Sequence, residues 1–260
     1  MAAALRDMTP ELSKQILHYA SFHQRSVTLR HMVMFGEVNI TPARLFRSSH
    51  FMREELPVRL AHRVVELDRL PRDLASMPEI RKVKNWYSTS FQELARLPPY
   101  TLTLPHKVHV SGGGTGYGSA YGDVDLPEEA LPPNVEELNK QLVDVLEIIK
   151  KRHDPVLPTM SMGITQWKEQ HHKHIITQDI QEFLDRFYLS RIGIRFLIGQ
   201  HIALVRNKGR MDNFVGIICT DTVVREVGAC ILDTFCPFSL LEHSLFGFFL
   251  FLYLYSATSD

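Results

Sequence analysis

From Gln178 to Val205 the chain reads "QDIQEFLDRFYLSRIGIRFLIGQHIALV", apolar nearly all round at helical period. A helix without a polar face has to be surrounded by other helices. This stretch by itself therefore predicts a bundle, and the residues before it supply the partners. "TPELSKQILHYA" places Thr9 as an N-cap, Pro10 at the first helical position, and Leu12, Ile16 and Tyr19 along one side. "LPVRLAHRVVELDRLP" is read as a helix starting at Pro57, with Leu60, Val64 and Leu67 on one face and Pro71 closing it. "SMPEIRKVKNWYSTSFQELARLPP" opens with a capping box from Ser76 to Glu79 and stops at two prolines. Its apolar face is Ile80, Val83, Tyr87, Phe91 and Leu94, with Ser90 at the edge. In "NVEELNKQLVDVLEIIKKRH" Val135, Leu138, Leu142, Leu146 and Ile149 fall on one arc at about 100° per residue, and His153 shares it. The expected fold is mostly α, an antiparallel four-helix-type bundle.

At 260 residues and 45% hydrophobic, there is enough apolar mass for one large domain or two small ones. The 29 basic and 29 acidic side chains cancel, which removes any global electrostatic argument for nucleic acid. Cys219, Cys230 and Cys236 lack paired spacing and suggest a reducing compartment. The opening "MAAALRDMTPELSK" makes a poor secretory signal and a weak transit peptide. The bundle is expected over 10–207, interrupted by a Gly/Pro-rich insertion at 101–133. There "VSGGGTGYGSAYGD" tempts a phosphate-loop reading, but it lacks the GxGxxG register and a βα unit, so a flexible insertion is preferred. "EQHHKHII" offers His171, His172 and His174 to a metal, but without a nearby cysteine and with polar flanks a solvated turn is preferred. "FVGIICTDTVV" reads as a short β segment.

Two arginines stand out on the long helix. Ile180, Phe187, Arg191, Ile194 and Ile198 project within roughly 60° of one another, with Arg195 on the flank. An unpaired guanidinium in an apolar site costs several kcal/mol (about the penalty for any buried ion), so Arg191 needs a partner. An ion pair with a carboxylate on a neighbouring helix would satisfy it, and so would a small carboxylate bound in an anion pocket, with His153 helping to line that pocket.

"FMREELPVRLAHRVVEL", "VKNWYSTSFQEL", "IKKRHDPVLPTMSMG" and "FLDRFYLSRIGIRFLIGQHIAL", in this order, resemble the mitochondrial 2-oxoacid dehydrogenase kinases, the pyruvate and branched-chain enzymes, and fungal members most. The resemblance runs from about Leu12 to Val227 outside the insertion. It implies a bundle similar to a histidine-kinase phosphotransfer domain, followed by an ATP domain that uses ATP and magnesium. It implies phosphorylation of serines on the dehydrogenase component, docking to lipoyl domains of the complex core, a matrix location, and inhibition by a 2-oxo acid such as pyruvate. Carried over by motif, the 2-oxo acid pocket would consist of Leu60, Tyr87, Ser90, Ile149, His153, Ser190, Arg191, Ile194 and Arg195. His153, at the end of its helix before Asp154 and Pro155, would assist a glutamate base on the ATP domain and face the mouth between the two domains. One position departs: an arginine usual three residues before the histidine is Lys150 here, which keeps the charge but loses the planar fork.

The family's nucleotide motifs are expected after the bundle. Residues 211–227 read as a remnant of the start of that domain. From Gly228 to Asp260 the chain runs "GACILDTFCPFSLLEHSLFGFFLFLYLYSATSD", a hydrophobic tail without those motifs. No cofactor is therefore expected in this chain, and the expectation is a truncated family member, inactive alone and monomeric. The alternatives are a non-enzymatic helical interaction module and a tail-anchored membrane protein. The anchor needs about 20 apolar residues, which the tail reaches only by burying Glu242 and His243.

Overall fold

The computed structural model describes residues 5–27, 42–71, 73–98, 131, 134–171 and 177–207. All lie in one compact unit, Met1–Gly216; a second, Ile217–Asp260, lies outside the described residues. So do nearly all of the 101–133 insertion, His172 and His174, the expected β segment, the three cysteines and the tail.

The described residues are helical, with no strand among them. The α-helices are α1 (Pro10–Ala20), α2 (Pro42–Asp68), α3 (Pro78–Ala95), α4 (Val135–Arg152), α5 (Val156–Gln170) and α6 (Gln178–Asn207), with a 3-10 turn at Leu74–Ser76. Packing closes a ring: α2 on α3, α3 on α4, α4 on α6, and α6 back on α2. The register gives the directions. Ser48 near the start of α2 meets His201 near the end of α6, while Arg63 further along α2 reaches Arg186 near the start of α6. On α3, Leu97 just past the helix accepts from Arg53 of α2, and Lys84 earlier on it meets Asp68 at the end of α2. Along α4, Glu147 and His153 meet Arg206 and Arg191 of α6 in reversed order. Neighbours therefore run antiparallel, the arrangement expected of a four-helix bundle. The α1 helix packs on α2, and α5 on α3.

Local chemistry explains most of the helix ends. Thr9 caps α1 as expected, its hydroxyl accepting from Leu12 N–H at 3.4 Å. The expected start at Pro57 is corrected: Pro57 lies inside α2, which begins at Pro42. An internal proline loses one helical hydrogen bond. Here the turns on both sides are locked by burial of Met52, Leu56, Leu60, Ala61 and Val64 at 2% exposure or less, and that packing outweighs the loss. The expected capping box is also corrected. Met77 occupies the N-cap of α3 without a side-chain cap. The Ser76 hydroxyl is spent on Asp73 O at 2.5 Å, closing the 3-10 turn, while Glu79 pairs with Lys82. Pro78, pre-set for the first helical position, moves the start one residue along.

The long α6 differs along its length from the expected all-round apolar helix. Its first half exposes Glu182, Asp185, Arg186 and Leu189, whereas no residue from Arg191 to Val205 is exposed. The second half is the part enclosed by the bundle. Gly163 of α5 marks a close helix approach: an added Cβ would lie 2.9 Å from Ile80 Cδ1 of α3.

Candidate functional site

The apolar arc of α4 is buried along its whole length, with Leu142, Leu146 and Ile149 at 1% or less, and it ends in His153 as the C-cap. Pro155 cannot continue α4, and the chain restarts as α5 at Val156. The expected mouth toward a further domain lies outside the described residues; His153 is 1% exposed within the bundle. It stacks on Tyr87 of α3, with centroids 4.4 Å apart at 27°. Its Nε2 lies 3.0 Å from Ser90 Oγ.

The stripe read from helical phase is the core face of α6. Ile180, Phe187, Ile194 and Ile198 are buried to 1% or less, and Arg191 to 9%. Arg191 Nη2 donates to His153 O at 3.0 Å, and Arg195 Nη1 donates to Lys150 O at 3.3 Å. Both arginines thus sit on the carbonyl end of α4, where a helix carries partial negative charge. Arg195 also meets a carboxylate, Asp154 at 2.9 Å, in the link between α4 and α5 rather than on a helix. Arg191 has no carboxylate at ion-pair distance among the described residues.

Leu60, Ile149 and Ile194 are fully buried on α2, α4 and α6. The buried Tyr87 hydroxyl, Ser190 Oγ and Arg191 Nε have no hydrogen-bond partner. A buried polar atom without a partner costs about 1–3 kcal/mol, so each of these calls for an explanation. Lys150, the departure from the family, contributes its carbonyl to Arg195.

The electrostatics follow from burial and the arginines. Burial pushes His153 down to about 4; a hydrogen bond to the Trp86 backbone opposes this, and Arg152, Arg191 and Arg195 reinforce it. Its imidazole is therefore neutral at physiological pH. Burial pushes Tyr87 up to about 12 against the pull of Arg191, Arg63 and Arg195, so the phenol keeps its proton. The Arg191 guanidinium is itself lowered, first by burial. Positive charge therefore predominates around the neutral His153 and Tyr87 rings.

Sequence reasoning missed three members of this neighbourhood. Arg63 of α2 is buried and bonded to Glu66, and it interacts electrostatically with Tyr87. Arg152 forms a two-bond pair with Glu93 of α3 at 2.7 and 2.6 Å and also reaches Ser90. The only hint in the sequence was the spacing of Ser90 and Glu93, one turn apart on α3. Among the described residues no group of three His, Cys, Asp or Glu could hold a metal, and His171 of the histidine run approaches Trp167 O instead. No described helix is long and apolar enough to cross a membrane.

Residues 26–219 match the family model described as mitochondrial branched-chain alpha-ketoacid dehydrogenase kinase. The chain is 32% identical to a mitochondrial [pyruvate dehydrogenase (acetyl-transferring)] kinase of Schizosaccharomyces pombe, over 83% of this chain and 57% of the relative. It is equally similar, at 32%, to one from Arabidopsis thaliana over 85% of this chain and 51% of that protein. Isozyme 1 of Rattus norvegicus matches at 32% over 75% of this chain and 37% of its own length. The chain thus spans about half the length, or less, of these curated relatives. The bundle and the long family match together establish that this chain belongs to the mitochondrial 2-oxoacid dehydrogenase kinase family.

Proposed function

We propose that these helices are the regulatory part of a mitochondrial protein-serine kinase acting on a 2-oxoacid dehydrogenase complex, and that they bind a small 2-oxo acid such as pyruvate beside Arg191. The observation that carries the reading is the buried Arg191 guanidinium, with no carboxylate at ion-pair distance among the described residues, together with the unpartnered buried atoms Tyr87 Oη, Ser190 Oγ and Arg191 Nε. A carboxylate would balance the charge of Arg191 and accept from its fork. A phenol and a serine hydroxyl offer the keto oxygen a donor. Leu60, Ile149 and Ile194 suit a short aliphatic chain, and Arg195 adds positive potential from the flank.

Phosphorylation of the dehydrogenase component and docking on lipoyl domains are read for the whole kinase by analogy with its relatives. We read no nucleotide site within the described helices, which present no acidic cluster for magnesium, and the sequence after Val227 lacks the family's nucleotide motifs. His153 is read as part of the pocket. The domain division is read the same way: a bundle over 10–207, then 211–227 as the beginning of a further domain, then the 228–260 tail.

The test is thermal unfolding of the full chain with and without pyruvate or dichloroacetate. Wild type is expected to be stabilised, and Arg191→Ala to lose that response. A mutant stabilised as much as wild type would refute the assignment of Arg191. Calorimetry with MgATP tests the second part of the reading, and stoichiometric binding would overturn it.

A further inference from the structure

Ser90 is expected to line the ligand pocket, yet its hydroxyl has no bond left to offer. A serine hydroxyl donates once and accepts twice. Here the Oγ–H turns back to Trp86 O at 2.8 Å, one turn earlier on α3. The two lone pairs face Arg152 Nη1 at 2.9 Å and His153 Nε2 at 3.0 Å. With the hydroxyl proton on the carbonyl, the third bond forms only if Nε2 carries a hydrogen.

Arg152 is not free to leave this position. Two parallel bonds hold it to Glu93, at 2.7 Å to one carboxylate oxygen and 2.6 Å to the other. A fork-to-fork pair of this kind fixes direction as well as distance. Ser90 and Glu93 sit on the same helix, so α3 presents both ends of a clamp that grips the last residue of α4. The next residue is His153. The charged groups acting on its ring are all guanidinium groups, Arg152 from α4 and Arg191 and Arg195 from α6, while Tyr87 covers one ring face. Nothing in that set favours a second proton on the ring.

We propose that Glu93, Arg152 and Ser90 form a positioning relay that holds the His153 ring as the Nε2–H tautomer, with Nδ1 as its acceptor, and that Ser90 serves the histidine rather than the ligand. The relay's consequence for ligand binding rests on the 2-oxo acid reading above; the tautomer does not.

The experiment is a long-range proton–nitrogen NMR correlation on the full chain labelled with 15N-histidine. His153→Gln identifies the His153 signal among the thirteen histidines. Wild type is expected to show a single Nε2–H form. Ser90→Ala should give a mixture of tautomers, and Ser90→Thr, which keeps the hydroxyl, should restore the single form. Glu93→Gln, at a partly exposed position that leaves the core untouched, should also mix the tautomers. By calorimetry it should weaken pyruvate binding about tenfold, which corresponds to ~1.4 kcal/mol, about one charge-assisted hydrogen bond. An Nδ1–H form in wild type, or a Glu93→Gln spectrum identical to wild type, overturns the relay. If wild type fails to bind pyruvate while the spectra behave as expected, the relay stands and the 2-oxo acid reading fails.

Discussion

Among the described residues two histidines are buried, and burial lowers both alike, yet their surroundings differ. His153 and His201 are each 1% exposed, each contact serine hydroxyls, and each is pushed down to about 4 by burial. His201 lies within α6, its Nδ1 2.9 Å from Ser48 Oγ and its Nε2 3.4 Å from Ser49 Oγ of α2. Both ring nitrogens are thus served by neutral partners, and burial alone accounts for its shift. His153 ends a helix, has three arginines acting on it, and lies among the unpartnered polar atoms of the candidate pocket. A depressed histidine is therefore not in itself a mark of function. What distinguishes the two surroundings is charge: three guanidinium groups act on His153, while burial alone acts on His201.

The largest expected effect is common to both histidines. Their folded values lie below the ordinary 6.5, so between pH 6.5 and 4 the unfolded chain binds protons that the native chain refuses. Stability is unaffected by them above about pH 6.5, falls as the pH drops through that window, and has lost their full share below about 4. Each histidine contributes about 3 kcal/mol of loss. Denaturant unfolding across this range should show that slope. His201→Leu and His153→Phe should each remove one proton's worth of it. Unequal shares would mean that the arginines, and not burial, govern His153.

A smaller effect separates the two sites at neutral pH. Ser48→Ala leaves a buried ring nitrogen of His201 without its closer partner and should cost about 1–3 kcal/mol in unfolding free energy. Ser49→Ala, which removes a bond of 3.4 Å, should cost less, about 0.5–1 kcal/mol. The reverse ranking would show that Ser49 is the real partner. Smallest of all is Arg191→Met, which should change stability by within about 1 kcal/mol, because a buried charge gives way to an apolar chain of similar length. The same variant should lose the pyruvate response. A loss of several kcal/mol would instead make Arg191 a structural cap of α4 and blur the contrast with His201.

Much of the site was legible before any coordinates. Helical phase placed Arg191 among Ile180, Phe187, Ile194 and Ile198, and the α4 arc carried His153 into the core, because burial of a helix face follows from spacing alone. The ends of elements were less legible. Pro57 and Ser76 each match a helix-start pattern, yet Pro57 is held inside α2 by buried neighbours on both sides and Ser76 closes a 3-10 turn. Those outcomes depend on packing that a local window does not contain.

The sequence by itself determined that this chain makes long amphipathic helices, that they must pack on one another, and that two arginines share a face with apolar residues. Periodicity and the cost of exposing apolar surface suffice for that. Only the tertiary structure decided which groups meet: Arg152 with Glu93, the arginines with the carbonyl end of α4, and His201 with Ser48, 153 residues away. Hydrogen-bond satisfaction is a property of atoms brought together from distant helices, so whether a buried polar group is sated or still wants a ligand is settled only when the bundle closes.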